Sequence, residues 1–486
     1  MADEQVSLDP EDWDKFRTLA HRMVDDALNE IRTIREKSVY VMPPTEIKRR
    51  LLDEPVPMEG QGEDAVYDQF LHDVFPYRNG NISPHFYGWV MGNGFPLAAM
   101  SDMLAATMDP HMAGLNQSPR FVEEKVIDWF RELMGFPVGT TGLLLSGGSM
   151  ANMTGLAVAR YVKAGYDIKS EGLWNSPVQT IYCTVETHSW LKKSVEVMGM
   201  GTRCLRAVPM NSDYEMDVEA LRKMVREDRA NGMHPIAVIG TAGTVNTGAT
   251  DDLNAIADVC KEENLWFHVD GAFGALVAIS QKLKHIVRGM ERADSVGFDL
   301  HKWMYLPFEC ACLLVRDGEA HDKTFVNTAT YLQVFDRGVM AGGTPFSGRG
   351  LELTRGFKAL KAWMSLKAYG FDRFAHLIER NVAQAQELKS FAQAAGLEVV
   401  APVPLNIVCF RFVASGKSLE ELNELNQEIL YLLQERGLAV PSSTIIDGKF
   451  CLRAAIVNHR TRSEDLQRLV TSVNEIGREL ESTYKK

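Results

Sequence analysis

The sequence predicts an α/β protein with a mostly parallel sheet covered by helices on both faces, and three observations predict it. Short apolar runs recur between about 100 and 360: "GLLLSGG" at 142–148, "TIYCTV" at 180–185, "PIAVIGTAG" at 235–243, "LWFHVDGA" at 265–272, "SVGFDL" at 295–300 and "ECACLLVRD" at 309–317. Helix-like stretches, such as 217–230 and 251–263, lie between them, and alternating apolar strands and helices make a buried parallel sheet. Polar and glycine residues collect at the carboxyl ends of the runs, which is where such sheets bind ligands.

The flanking regions read differently. Residues 9–32 are periodic at helical spacing through Trp13, Phe16, Leu19, Ala20, Met23, Val24, Ala27 and Ile31, with Asp9 as a cap and Pro10 in the first turn. Residues 40–100 are rich in Pro, Gly and aromatics and cannot make a core alone, so 1–100 is expected to pack on another domain or a second subunit. After a large domain over 101–360, the chain is expected to form a small α+β domain over 361–486: a long helix at 356–395, "LNIVCFRF", a helix at 418–436, "KFCLRAAIV" and a last helix at 463–481.

Composition narrows the function classes. The 486 residues are 45% hydrophobic and 24% charged, ordinary for a globular protein, with a net charge of −12. No Lys/Arg run marks a nucleic-acid surface, and no stretch of about 18 apolar residues marks a membrane span. The N-terminus is acidic and lacks a secretory signal. The seven cysteines (Cys183, Cys204, Cys260, Cys310, Cys312, Cys409 and Cys451) are odd in number and scattered, which argues against a disulfide framework or a metal site. They read as packing residues of a reduced, cytoplasmic enzyme.

Four pieces of chemistry stand at strand ends. In "LLSGGSMAN", 144–152, Gly147 and Gly148 turn the chain and Ser149 opens a helix, whose free N–H groups suit a phosphate. In "FHVDGAFG", 267–274, Asp270 ends an apolar strand, where a carboxylate needs a cation or donors, and Gly271 and Ala272 leave room for a flat ring. In "FDLHKWMY", 298–305, Lys302 sits among Phe298, Leu300, Trp303 and Met304, and burial of a lysine makes its neutral amine available as a nucleophile. In "TVETHSW", 184–190, His188 can stack on an aromatic ring. Alone, each is equally an ordinary turn, cap, surface lysine or structural histidine. Their order along successive strand ends fits one cofactor, pyridoxal 5′-phosphate (PLP): phosphate on the helix start, ring nitrogen on the carboxylate, aldehyde carbon on the lysine.

The segments "SGGSMAN", "HVDGAFG", "ADSVGFDLHKWM", "TATYL" at 328–332 and "CLRAAIVNHRT" resemble those of the PLP-dependent group II amino-acid decarboxylases, the fold-type I family that includes aromatic-L-amino-acid decarboxylase. The resemblance covers nearly the whole chain. It implies the aspartate-aminotransferase-like fold, with the large domain holding PLP, and a homodimer with shared active sites. It implies that Lys302 bonds the cofactor, Asp270 pairs with its ring nitrogen and His188 stacks on the ring. By the same resemblance Gly148, Ser149, Asp299 and His301 serve the phosphate, Ala272 lies against the ring, and Thr244 in "TAGTVNTG" approaches the cofactor. Asp299 stands where animal aromatic-acid relatives carry Asn, and Val245 where they carry a hydroxyl residue. The stretch 323–350 resembles the family's mobile catalytic loop, in which Tyr331 is implied to protonate Cα, directly or through His188. In relatives, Phe at the tyrosine's position goes with aldehyde formation. "HFYGWV", 85–90, resembles the substrate-pocket segment, so Phe86 and Trp89 are expected to hold an aromatic side chain. The expected reaction is decarboxylation of tyrosine, DOPA, tryptophan or phenylalanine. Rival readings are a decarboxylase of glutamate or histidine, a lyase of a sphingoid-phosphate C–C bond, a decarboxylating aldehyde synthase, and a non-catalytic protein on a relic fold.

Overall fold

The computed structural model describes residues 7–174, 176–326, 335–339, 341–342 and 344–483. In chain order its elements are α1 (Trp13–Thr33), α2 (Thr45–Leu52), α3 (Glu63–Gln69), β1 (Phe86–Tyr87), α4 (Pro96–Met108), α5 (Ser118–Leu133), β2 (Thr141–Leu145), α6 (Gly148–Lys163), α7 (Ile168–Glu171), β3 (Gln179–Cys183), α8 (Trp190–Val197) and β4 (Leu205–Ala207). They continue with α9 (Val218–Ala230), β5 (His234–Thr241), α10 (Leu253–Glu262), β6 (Trp266–Asp270), β7 (Ser295–Asp299), α11 (Leu300–Trp303), β8 (Ala311–Val315) and α12 (Gly318–Phe325). The last are α13 (Ala359–Ala394), β9 (Glu398–Val399), β10 (Ile407–Arg411), α14 (Leu419–Glu435), β11 (Val440–Ile446), β12 (Lys449–Ala455) and α15 (Ser463–Thr483).

Seven strands form the large sheet in the order β2-β8-β7-β6-β5-β3-β4, and β8 alone runs against the rest. The fold is the expected mostly parallel α/β sheet. Its strands are buried along nearly their whole length because helices pack on both faces, so each run needs apolar residues at successive positions. The short strand β4 has a half-exposed, weakly apolar sequence and leaves no such run to read. A second sheet, ordered β1-β11-β12-β10-β9, packs its own core of Leu388, Phe410, Leu425, Ile429, Leu433, Leu452 and Val473 against α13, α14 and α15. All seven cysteines are buried and free.

Two local details depart from the sequence expectation. Helix α1 starts at Trp13, because Asp12 rather than Asp9 accepts from the N–H groups of Asp14 and Lys15. The long C-terminal helix is broken at Gly370, whose φ of 70° lies in the left-handed region that glycine enters at no steric cost. The N-terminal segment, expected on another domain or a second subunit, packs on the second sheet of its own chain. Its strand β1 pairs in parallel with β11, Tyr87 enters the second core, and Arg35 and His85 both meet Asp465 at the start of α15. The apolar stripe of α1 nonetheless keeps Trp13, Phe16 and Met23 exposed.

One buried ion pair ties the sheet to the segments around it. Arg355 donates to Glu123 and to the carbonyls of Leu144 and Met112, and its guanidinium lies 5.0 Å over the Phe346 ring. Removing one partner leaves a buried charge without its counterion. Arg355→Met is therefore expected to lower unfolding stability by about 3–5 kcal/mol, and the double variant Glu123→Leu/Arg355→Met to recover part of it. Urea unfolding of the three proteins checks this.

Candidate active site

The carboxyl ends of β2, β3, β5, β6 and β7 open on one cavity of about 580 Å³. Each strand delivers its last polar residue there because its preceding residues are locked in the core. Strand β2 ends at Leu145, Ser146–Gly147 turn, and α6 starts at Gly148 with no side chain capping its first N–H groups. Such a start, with the positive end of a 16-residue helix behind it, favours an anion. A Cβ at 148 would lie 2.8 Å from a carboxylate oxygen of Asp299, so that side chain would have to shift.

Asp270 ends β6 and is 4% exposed. Its two oxygens accept from the Trp190 indole Nε1–H at 2.6 Å and the Ala272 backbone N–H at 3.2 Å. These donors compensate a carboxylate withdrawn from water. Lys302 stands in the single turn α11 that follows β7, and its Nζ lies 2.8 Å from Asp299 Oδ2. The turn is held from behind, since Trp303 Nε1–H and Tyr305 O–H both donate to Asn381 Oδ1 at 3.0 and 2.8 Å. It is also held from the side by Gly92, where a Cβ would overlap the His301 carbonyl.

The structure thus gathers Gly148, Ser149, His188, Asp270, Ala272, Asp299, His301 and Lys302 around one space. Three expected residues are not in it. Thr244 is turned into its own loop, where its hydroxyl meets Thr247 Oγ1 at 3.0 Å and accepts from the Ala249 N–H, while its neighbours Gly243 and Val245 line the cavity. Phe86 is buried against Val39 and Val440 by the pairing of β1 with β11. Trp89, in the left-handed region at φ 51°, has its carbonyl fixed by Arg453 and its ring 56% exposed. Neither aromatic lines the cavity of its own chain, so the expected aromatic slot is not built there. Tyr331 lies outside the described residues.

Among the lining residues to which sequence reasoning assigned no role are Asn152, Glu186, Trp190 and Thr241. Asn152, Glu186 and Trp190 stand inside the quoted segments "SGGSMAN" and "TVETHSW", and Thr241 inside "PIAVIGTAG". Asn152 Nδ2, Glu186 Oε2, Thr241 Oγ1 and Asp299 Oδ1 are buried and have no hydrogen-bond partner within the protein. Buried polar atoms are rarely left so, and four of them around one cavity fit a polar ligand that supplies the missing partners. The donor set matches PLP: amides at a helix start for phosphate, a carboxylate for a ring nitrogen, and an amine for an aldehyde.

The model of the pyridoxal-dependent decarboxylase conserved domain matches residues 44–413. The chain belongs to the pyridoxal-dependent decarboxylase family. It is 31% identical over 475 residues to the aromatic-L-amino-acid decarboxylase of Bacillus atrophaeus, covering 97% of each chain. It is 25% identical over 463 residues to the phenylacetaldehyde synthase of Petunia hybrida, covering 92% of this chain and 91% of that one. In fold it is similar to Oryza sativa TDC solved with PLP and tryptamine, at a TM-score of 0.89 and 24% identity over 98% of this chain and 100% of that one. The chain is a PLP-dependent amino-acid decarboxylase.

Burial lowers the pKa of both histidines that line the cavity, His188 and His301. Desolvation by the cavity walls lowers the pKa of His188 despite its open edge, Lys302 adds to this, and Asp270 and Asp299 oppose it. Burial likewise lowers His301, against the opposing charge of Asp299. His301 Nδ1 lies 3.0 Å from the Cys310 carbonyl and 3.3 Å from its N–H. Below Asp270, His268 is fully enclosed between Asn152 Oδ1 and Ser295 Oγ, and burial pushes it down to about 4.

Gly148→Ala would press a methyl group on Asp299 at the helix start, and is expected to weaken PLP binding about tenfold or more in equilibrium dialysis while the fold persists. Burial also holds His321 and His459 at about 4. Between pH of about 6.5 and 4 the unfolded chain binds protons that native His268, His321 and His459 do not. Stability should therefore fall as pH drops through that window, by up to about 1.4 kcal/mol per pH unit for each group. His268→Gln should make the fall shallower, as read from urea midpoints at pH 7 and 5.

Proposed function

We propose that this chain decarboxylates an L-amino acid with an aromatic side chain, releasing the amine and carbon dioxide, and works as a cytoplasmic homodimer. The observation that carries the reaction is the convergence of Lys302, Asp270 and the Gly148–Ser149 helix start on one cavity. Bound PLP supplies an electron sink for the pair left when the carboxylate departs. The chain's residues do the rest. Lys302 Nζ would be the amine that holds the cofactor's aldehyde carbon and gives way to the substrate's amine. Asp270 holds a proton on the ring nitrogen through the carboxylate oxygens that face the cavity. Gly148 and Ser149 anchor the phosphate, with His301 beside them. His188 covers the ring and, being neutral, can pass a proton. Tyr331 delivers the proton to Cα.

The choice of substrate rests on charge and on kinship. Among the described residues, Glu186, Asp270, Asp299 and Glu309 line the cavity with one lysine, Lys302; the cofactor would take up Lys302 and Asp270, which leaves Glu186, Asp299 and Glu309. A second carboxylate on the substrate would meet like charges there, which disfavours glutamate and aspartate. The relative from Bacillus atrophaeus is named for aromatic L-amino acids. The dimer is supported by the exposed stripe of Trp13, Phe16 and Met23 on α1, a face that a second copy would cover. The cytoplasm is supported by seven buried thiols with no disulfide among them.

A second reading, decarboxylation with oxidation to the aldehyde, is favoured by the phenylacetaldehyde synthase relative. The purified holoenzyme, given each of the twenty amino acids, is expected to release carbon dioxide and amine in equal amounts from aromatic substrates, with little peroxide or ammonia. Release from glutamate or histidine alone would overturn the aromatic reading, and peroxide with ammonia in place of amine would favour the synthase. Tyr331→Phe is expected to cut amine formation at least about 100-fold, the scale of a lost general acid, and to raise aldehyde and ammonia.

A further inference from the structure

Trp190 is placed by the fold to touch both residues that face the cofactor's ring. It is the first residue of α8, is 2% exposed, and lines the cavity wall. Its indole N–H reaches Asp270 Oδ2 at 2.6 Å, and its backbone N–H lies 3.3 Å from His188 Nδ1. The ring is held from below by an edge contact with His268, at 5.8 Å between centroids and 71° between planes. The indole is packed within the core cluster, which holds its rotamer.

The plane of an aspartate carboxylate turns about the Cβ–Cγ bond and is fixed only by what its two oxygens accept. Here Oδ1 takes the Ala272 N–H at 3.2 Å, a long contact, and Oδ2 takes the Trp190 N–H at 2.6 Å, a short charge-assisted one. The stronger of the two restraints is therefore the indole. Underneath, His268 is kept neutral by burial and offers no competing charge. We propose that Trp190 is a positioning residue, which sets the plane of the Asp270 carboxylate through its indole N–H and so determines how strongly the site distinguishes a ring nitrogen from a carbon. The inference rests on the proposed pairing of Asp270 with the cofactor's ring nitrogen.

The test compares two ligands on the apoenzyme by equilibrium dialysis: PLP and its 1-deaza analogue, in which C–H replaces the ring nitrogen. Wild-type protein is expected to prefer PLP. Replacing Trp190 by benzothienylalanine keeps the shape and puts sulfur where N–H was, and should reduce that preference about tenfold, the scale of a lost charge-assisted hydrogen bond. Trp190→Phe should do the same. If Trp190→Phe fails to fold, the near-isosteric replacement decides. An unchanged preference, or equal weakening of both ligands, would mean that the indole only fills space, and overturns the inference while leaving Asp270 in its role. A wild-type protein that does not distinguish the ligands overturns the Asp270 pairing itself.

Discussion

A carboxylate at the end of a buried strand is unfavourable unless donors meet it, and the site is arranged around that constraint at Asp270. Strand β6 runs between β5 and β7 in the middle of the parallel sheet, and its last residue is buried and lines the cavity. One side is satisfied by Trp190 and Ala272. The other side faces the space into which Lys302 also projects. A negative charge on one wall and an amine on another, across a cavity of about 580 Å³, suit the flat cationic ring that we propose binds there.

The same parallel arrangement explains why the other groups are where they are. Because five codirectional strands end at this cavity, the phosphate turn, His188, Asp270 and Lys302 can be far apart in sequence and still share one ligand. The flanking segments then brace the arrangement. Gly92 lies against the His301 carbonyl, Asn381 of α13 holds Trp303 and Tyr305, and Arg355 bonds the Leu144 carbonyl just before the phosphate turn.

The fold was legible in the sequence where burial on both faces demands apolar runs, as in β2, β5 and β8, and less so where a strand is short or half exposed, as in β1 and β4. The site residues at strand ends were legible because a lone polar residue after an apolar run is conspicuous: Asp270 and Lys302 are of this kind. What was not legible depends on contacts between distant positions. The Trp190 indole serves a carboxylate 80 residues away, and no local pattern marks that. Thr244 was expected beside the cofactor, yet a second hydroxyl three residues on, Thr247, draws it into its own loop. Phe86 and Trp89 form an aromatic cluster that sequence alone cannot tell from a pocket wall, and the pairing of β1 with β11 commits Phe86 to packing.

The central claim is that Lys302 is the point of covalent attachment for PLP. Borohydride reduction of the holoenzyme, followed by proteolysis and mass spectrometry, tests it most directly. The account predicts one pyridoxyl group per chain, on the peptide carrying Lys302 and absent from Lys302→Ala. A reduced adduct on another lysine, or undiminished labelling of Lys302→Ala, would contradict it.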